Sequence, residues 1–469
     1  MKIALIAPPY DLLAKGYGTK AKIKYGHMPP LGIGYIAAIL LKAGHEVKLI
    51  DAPAKGYSCE DVAREAMAWG AEAAGISAMT ASADSAYAQA AAIRAVSGMP
   101  LIMGGPHCIS FPEKVLQECP AADVSVFGEG ETVMAALCGW LEKKVPLSSV
   151  EGICFRTPEG IKTTRPGAYI ADLDTLPSPA WHLYDFSLYR SLPGQNKAFP
   201  VTALVTSRGC PYRCTFCFQA GNKAFKYRRH SPQRMVQEIE NLYNNFGIRE
   251  VMFWDDTFAM NMDWIETFCS GLKAKVRIPW SCYGRVNTVS EKMLKAMAEA
   301  GCWSIFFGYE TGSQELLDLI QKGTTIEQCE TATRWAKEAG LQIRASFMLA
   351  LPGETPEKAR KTIDFAIKLD PDYVQFLPTY PEYGTILYEQ AMKEGKITSD
   401  LKYKSRTGAT YVPDGYSSAE EVEAMLRYAY RKFYIRPAYI WGRLKTVRKL
   451  GDLRSYFDGL KFVLGIAFK

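Results

Sequence analysis

The tightest constraint on this chain is the stretch Ser207-Arg-Gly-Cys-Pro-Tyr-Arg-Cys-Thr-Phe-Cys-Phe218. It sets Cys210, Cys214 and Cys217 in the spacing C-x3-C-x2-C, directly after an apolar run, Val201 to Val205, that reads as a strand. Three thiolates on one tight loop suit three irons of a [4Fe–4S] cluster and leave the fourth iron without a protein ligand. An open iron can bind and reduce something, whereas a purely electron-carrying cluster is usually closed by a fourth Cys. A lone C-x2-C would equally suit zinc or a redox dithiol. Zinc is disfavoured here because no fourth Cys or His lies nearby in sequence; His230 is thirteen residues beyond Cys217.

A chain of 469 residues has room for roughly two to four domains, each with its own core. Its 48% hydrophobic and 22% charged residues are ordinary for a soluble globular protein. Twelve Cys without a recognisable signal peptide point to a reducing cytoplasm, where thiolates are free to bind metal. The longest apolar stretch, Leu31 to Leu41, is too short to span a bilayer.

Residues 1–145 alternate strands at Ile3–Ala7, Glu46–Ile50, Ala74–Ile76, Leu101–Met103 and Val124–Phe127 with helices near 32–43, 59–69, 83–97, 112–118 and 130–143. The expected fold is α/β, a doubly wound Rossmann-like parallel sheet whose ligand sits at the carboxyl ends of the strands. The loops there carry Leu31 and Gly32, Ser77 and Thr80, Gly105 and His107, and Gly128, Glu129 and Gly130. Glycines allow close backbone approach and the hydroxyls can donate. No G-x-G-x-x-G follows the first strand, so a dinucleotide is not supported.

Residues 146–195 read as a β-hairpin followed by a proline-rich linker. From 196 to about 395 the βα alternation resumes, with strands at Val201–Thr206, Glu250–Trp254, Trp280–Tyr283, Ser304–Phe307, Gln342–Met348 and Tyr373–Leu377. Six parallel strands with outer helices predict a partial (β/α)6 barrel, active at its carboxyl end. Asp255 and Asp256, Arg285, Glu310 with Ser313, and the run Leu351-Pro-Gly-Glu-Thr355 fall at those strand ends. On sequence alone, a carboxylate pair such as Asp255-Asp256 more often caps a loop or pairs with Arg than does chemistry.

Taken together, these motifs resemble the cobalamin-dependent radical S-adenosylmethionine enzymes. The Cys triad with Phe216 before its third Cys carries the resemblance most strongly, and it extends over residues 1 to about 440. It implies three cofactors: a [4Fe–4S] cluster on Cys210, Cys214 and Cys217, S-adenosylmethionine, and cobalamin. It implies that Asp255 and Asp256 lie near the amino group of S-adenosylmethionine, that Glu310 and Ser313 contact its ribose or methionine part, and that Phe216 packs near the adenine. A cationic sulfonium gives carboxylates an independent reason to be there. In the N-terminal domain Leu31, Gly32, Ser77, Thr80, Gly105, His107, Gly128, Glu129 and Gly130 become the cobalamin candidates. The D-x-H-x-x-G motif that supplies an axial His elsewhere is absent around all five histidines, so cobalt is expected without a protein His. The competing readings are a degenerate N-terminal domain that binds nothing and, for His107, a purely structural role.

Residues 427–469 differ from the rest. They hold eleven Lys or Arg and two acids, Asp452 and Asp458, interleaved with aromatics that include Tyr430, Phe433, Tyr434, Tyr439, Trp441, Tyr456, Phe457, Phe462 and Phe468. Two readings fit: a peripheral contact with the inner face of a membrane, or a helical cap over the barrel. Nucleic acid is the weakest third reading, since no RNA-binding module is appended.

The expected activity is methylation of an unactivated carbon of a small-molecule or lipid-like substrate, with electrons from an external donor of flavodoxin or ferredoxin type. The same cofactors could instead serve a radical cyclase or ring-rearranging enzyme. A tRNA methylthiotransferase would need an N-terminal Cys triad, for which Cys59, Cys108, Cys119, Cys138 and Cys154 stand at unrelated spacings. A cobalamin or redox sensor without catalysis is the remaining alternative.

Overall fold

In β1 (Lys2–Ala7) the run Ile3 to Ile6 is at most 2% exposed, which is what a strand covered by helices on both faces requires. It pairs in parallel with β2 (Glu46–Asp51) on one side and β3 (Ala73–Ser77) on the other. The sheet continues through β4 (Leu101–Gly104) and β5 (Val124–Val126), in the order β2-β1-β3-β4-β5. Strand order reverses at β1, which puts a ligand crevice at the carboxyl ends of β1 and β3. The computed structural model describes residues 1–10, 26–192, 194–221, 226–397, 408–445, 459–461 and 463–468.

Local chemistry sets the helix boundaries. The helix Leu31–Lys42 stops before Gly44, whose φ of +86° few other residues would adopt. Ser58 and Asp61 form a reciprocal capping box at the start of Cys59–Trp69. One element falls differently from the sequence reading. The hairpin β6 (Ile153–Thr157) and β7 (Gly160–Thr163) is not a free-standing join but extends the first sheet, β6 running antiparallel to β5. A three-residue β5 left at the edge would expose unpaired backbone, and β6 covers it. The chain divides into two units, the first comprising the described residues 1–10 and 26–190 and the second running from Ser191 onward.

The second unit is a six-stranded parallel sheet ordered β15-β14-β13-β12-β11-β8. Its strands are β8 (Val201–Leu204), β11 (Glu250–Phe253), β12 (Trp280–Gly284), β13 (Cys302–Glu310), β14 (Gln342–Leu349) and β15 (Tyr373–Pro378). A two-stranded antiparallel ribbon, β9 (Ser207–Arg208) with β10 (Arg228–Arg229), stands beside it. Polar N-caps open the outer helices: Ser231 before Pro232–Asn245, Asn261 before Met262–Lys275, Thr325 before Ile326–Glu338 and Thr355 before Pro356–Leu369. Along β14, buried Ile343, Ala345, Phe347 and Leu349 alternate with half-buried Gln342, Arg344, Ser346 and Met348. The buried set meets the helices, as when Phe347 packs edge-on against Phe365. The half-buried set therefore lines the concave face of the barrel.

The helix Ala419–Tyr434 covers the β15 edge. It buries Val422, Met425, Leu426, Ala429, Tyr430 and Phe433, with Phe433 set edge-on to Phe376 of β15. The Tyr434 hydroxyl donates to the Val374 carbonyl at 2.6 Å and accepts from the Val374 N–H at 2.9 Å. Arg436 pairs with Asp370, and Arg443 with Asp372 at 2.8 Å. Among the described residues of the basic, aromatic segment, Tyr430, Phe433, Tyr434, Arg436 and Arg443 are thus spent on the barrel, while Trp441 stays 62% exposed. Tyr456, Phe457 and Phe462 lie outside the described residues. Among the described residues no helix is long and apolar enough to cross a membrane.

Candidate active site

The Cys loop is held at both ends and in the middle. Its two ends pair as β9 and β10, with Arg228 opposite Arg208 and Arg229 opposite Ser207. Within it the Cys217 N–H donates to the Cys214 carbonyl at 3.0 Å. The Thr215 N–H donates to the Ile320 carbonyl, and the Thr215 carbonyl accepts from the Leu387 N–H, each at 3.0 Å. Arg229 stacks 3.4 Å over the Trp264 ring, and the Trp264 indole N–H donates to the His230 carbonyl at 2.8 Å. These contacts fix a loop too short and too polar to hold itself.

Asp255, at the end of β11, is 3% exposed and braces this loop. It accepts from the Thr206 N–H at 3.0 Å, the Thr206 hydroxyl at 2.6 Å and the Ser207 hydroxyl at 2.5 Å. Its neighbour Asp256 is exposed. Surrounding protein and the Asp255 charge raise the Asp256 carboxyl to about 6. The adjacent pair expected to act together is therefore split between bracing and an open carboxylate.

The thiols sit in contrasting surroundings. Cys214 is 6% exposed, and Cys210 and Cys217 are half-buried. Burial pushes the Cys210 thiol up, against the pull of the Tyr212 N–H and the Thr257 hydroxyl, and the Asp256 charge adds to the rise. Arg285, which follows β12, directs Nη1 at Cys214 Sγ over 3.6 Å and lies face-on to Tyr212 at 3.8 Å. Its Nη2 is buried and has no hydrogen-bond partner among the described residues. Among the described residues no three His, Cys, Asp or Glu side chains converge as the ligands of one ion must. Thiolates on separate irons of a cluster stand wider apart than that, and cluster sulfides would supply the acceptors that a buried guanidinium lacks. The residues present fit such a cluster.

Glu310 ends β13 in a left-handed conformation, φ +67°, beyond a register shift after Gly308. Such a backbone costs about 1–3 kcal/mol in a residue other than glycine. It is held by an ion pair with Lys322 at 2.5 Å, both side chains less than a tenth exposed. The Lys322 ammonium also lies 5.8 Å from the Phe216 ring, which packs against Leu316, Ile320 and Leu351. Phe216 and Glu310 are thus joined through Lys322, which the sequence reading did not single out. Ser313 is half-buried at the start of Gln314–Leu319 without capping it. Glu354, in the run after β14, is fully buried and accepts from the Tyr416 hydroxyl at 2.8 Å and the Ala350 N–H at 2.5 Å. Burial raises its carboxyl to about 7.

The candidates of the first unit are quieter. His107 is 2% exposed, with Nε2 2.9 Å from the Tyr87 hydroxyl and Nδ1 3.4 Å from Thr80 Oγ1. Glu129 accepts from the Ile170 N–H at 2.7 Å. Gly105, at φ +97°, lets the loop after β4 close on the loop after β3: a Cβ there would stand 2.8 Å from the Ala78 carbonyl oxygen. At Gly130 a Cβ would stand 2.9 Å from Ile36 Cδ1. Gly32 opens onto free space, and Leu31, Ser77 and Gly128 are half-buried. Of the five N-terminal cysteines, Cys108, Cys119 and Cys154 come together in the core, where burial raises all three thiols. They pack as small apolar groups.

Comparison with known proteins follows the same division. The radical SAM superfamily model matches residues 204–366, and the B12 binding domain model matches residues 21–138. An uncharacterized methyltransferase of Pyrococcus horikoshii is 33% identical, with 93% of each chain covered. An anaerobic magnesium-protoporphyrin IX monomethyl ester cyclase of Cereibacter sphaeroides is 28% identical over 98% of this chain and 76% of its own. Among solved structures, the radical S-adenosylmethionine methyltransferase TsrM from Kitasatospora setae superposes with a TM-score of 0.71, covering 93% of this chain and 89% of that one. At 18% identity that likeness shows the fold. The two domain matches and the full-length archaeal relative place this chain among the cobalamin-dependent radical S-adenosylmethionine enzymes.

Proposed function

We propose that the chain methylates an unactivated carbon of a small molecule. The observation that carries this reading is a gathering of groups at the carboxyl end of the second unit. There the braced Cys loop, the open Asp256 carboxylate and the unpartnered Arg285 Nη2 meet. When bound, the iron–sulfur cluster, S-adenosylmethionine and cobalamin supply radical generation and the methyl group.

The chain's own residues then have separable tasks. Cys210, Cys214 and Cys217 hold the irons, and Arg285 donates to the Cys214 sulfur, which favours the reduced, more negative state of a cluster. Asp256 offers a carboxylate to a cationic amino group. Lys322 holds Glu310 in its strained backbone and so fixes where that carboxylate points. Phe216 presents a ring face for a flat base, and Ser313 keeps a hydroxyl that caps nothing. In the first unit the half-buried loops with Leu31, Gly32, Ser77, Gly128 and Gly130 offer backbone and small side chains to a corrin, with His107 and Thr80 supporting them from behind. An external low-potential donor of flavodoxin or ferredoxin type supplies electrons, and Trp441 with the flanking basic residues is the surface for any membrane contact.

Product mass tests the reading. Purified anaerobically, reconstituted and given candidate substrates, the enzyme should add CH2. A product of unchanged mass or two hydrogens lighter would favour the second reading, a radical cyclase or ring-rearranging enzyme, which the cyclase relative supports.

A further inference from the structure

On the concave face of the barrel, pairing sets one row of side chains side by side. Tyr283 of β12 is opposite Phe306 of β13, Phe306 is opposite Arg344 of β14, and Arg344 is opposite Tyr373 of β15. All four are half-buried and share the inner face. The Tyr283 and Phe306 rings are 5.0 Å apart, and the Arg344 guanidinium lies 5.4 Å from the Phe306 ring. Among the described residues Arg344 has no hydrogen-bond and no ion-pair partner; its charge meets only aromatic rings. Burial lowers its pKa, and the groups acting on its charge are the hydroxyls of Tyr283, Tyr373 and Tyr434. A half-buried guanidinium with only rings beside it gains a charge-assisted pair when an anion reaches it. Of the other cations described in this unit, Lys322 already has its carboxylate in Glu310 and Arg285 directs Nη1 at Cys214 Sγ.

Resting on the reading of the barrel lumen as the substrate site, we propose that the substrate carries an anionic group, a carboxylate or a phosphate ester, that seats on Arg344. Its apolar or aromatic body then lies along Phe306 and Tyr283. Arg344 is five residues below the end of β14, about 16 Å at the usual rise per strand residue. The substrate is therefore elongated, anion downward, with the reacting carbon toward the strand ends.

The test is binding of small probes to the full-length, cluster-reconstituted protein by calorimetry: benzoate, phenyl phosphate and uncharged benzamide. The wild type should prefer one of the anions over benzamide by about tenfold or more, the worth of one charge-assisted pair, and which anion wins distinguishes carboxylate from phosphate. Arg344→Met should abolish the preference and Arg344→Lys should keep part of it, with iron content and circular dichroism reporting that each variant has folded. Equal binding of all three probes by the wild type, no binding of any, or an undiminished preference in Arg344→Met would overturn the proposal. The wild-type comparison stands even where a variant does not fold. A protein that shows the charge preference but transfers no methyl group would sink the proposed activity and leave this site intact, and the converse result would do the reverse.

Discussion

The carboxyl ends of the two sheets treat their polar groups in opposite ways. In the first unit they are satisfied internally: His107 has Tyr87 and Thr80, Glu129 has the Ile170 N–H, and Gly105 closes on Ala78. In the second unit, among the described residues, several are left short: Arg285 keeps an unpartnered Nη2, Glu354 an unpartnered Oε2, and Asp256 faces solvent. A surface already satisfied recognises by shape, through glycine gaps and backbone. A surface left short recognises by charge, because its ligand completes it. The first suits a large preformed macrocycle and the second suits a small charged molecule with a cluster.

The comparison can be broken most severely at the cysteines. Changing Cys210, Cys214 or Cys217 to Ala should abolish iron loading and 5′-deoxyadenosine formation, while Cys119→Ala in the first unit should leave iron content unchanged. Iron analysis and chromatography of the nucleoside decide it; equal iron loss at Cys119 would erase the distinction between the units. Next in size is Gly105→Ala, whose Cβ meets the Ala78 oxygen at 2.8 Å in a left-handed backbone. It should cost about 1–3 kcal/mol and prevent corrin uptake with the cluster intact, as read from visible absorption. Normal uptake would show that fit of the loops is not what binds.

Glu354 sharpens the second half of the comparison through pH. Its carboxyl rises from 4.5 to about 7 on folding, so between those values the folded chain holds a proton that the unfolded chain has lost. Stability should fall as pH rises through that window, by about 3 kcal/mol in total, and level off above it. Glu354→Gln should remove this slope, measured as the difference between urea midpoints at pH 5 and pH 8. Parallel slopes in both proteins would mean that the group titrates normally.

The smallest effect is expected at the C-terminus. Each basic residue near an anionic surface is worth roughly 1 kcal/mol, but Arg436 and Arg443 are already paired with Asp370 and Asp372. Sedimentation with anionic vesicles should show weak binding at low ionic strength that salt removes, and Trp441→Ala should reduce it further. Tight, salt-resistant binding would restore the segment as a dedicated membrane anchor.

Most of the fold was legible because strand and helix periods are local properties. The eleven strands expected in the two sheets all formed, within a few residues at their ends. What escaped was non-local. Nothing in Ile153–Thr157 announces that it will pair with Val124–Val126, because that choice depends on an edge left open elsewhere. Lys322 stands twelve residues beyond Glu310, outside any strand or helix period, and only the fold brings their side chains together. Arg344 reads as one more polar residue in an alternating strand, and its isolation appears only when its neighbours across the sheet prove to be aromatic. The C-terminal aromatics were visible, but which of them face inward depends on a helical phase set by β15.

The Tyr434 phenol that occupies both hydrogen-bonding groups of Val374 has a consequence for growth of the sheet. Strand edges propagate: an exposed N–H and C=O invite a further strand, from the same chain or a neighbour. Here a side chain answers both groups at once, so this flank of the barrel is finished chemically rather than by adding backbone. Tyr434→Phe would leave both groups unanswered beneath the helix, while the Tyr430 and Tyr439 hydroxyls still hold the Phe376 and Asp372 carbonyls. The cost would then be read in the melting temperature, ahead of any loss of activity.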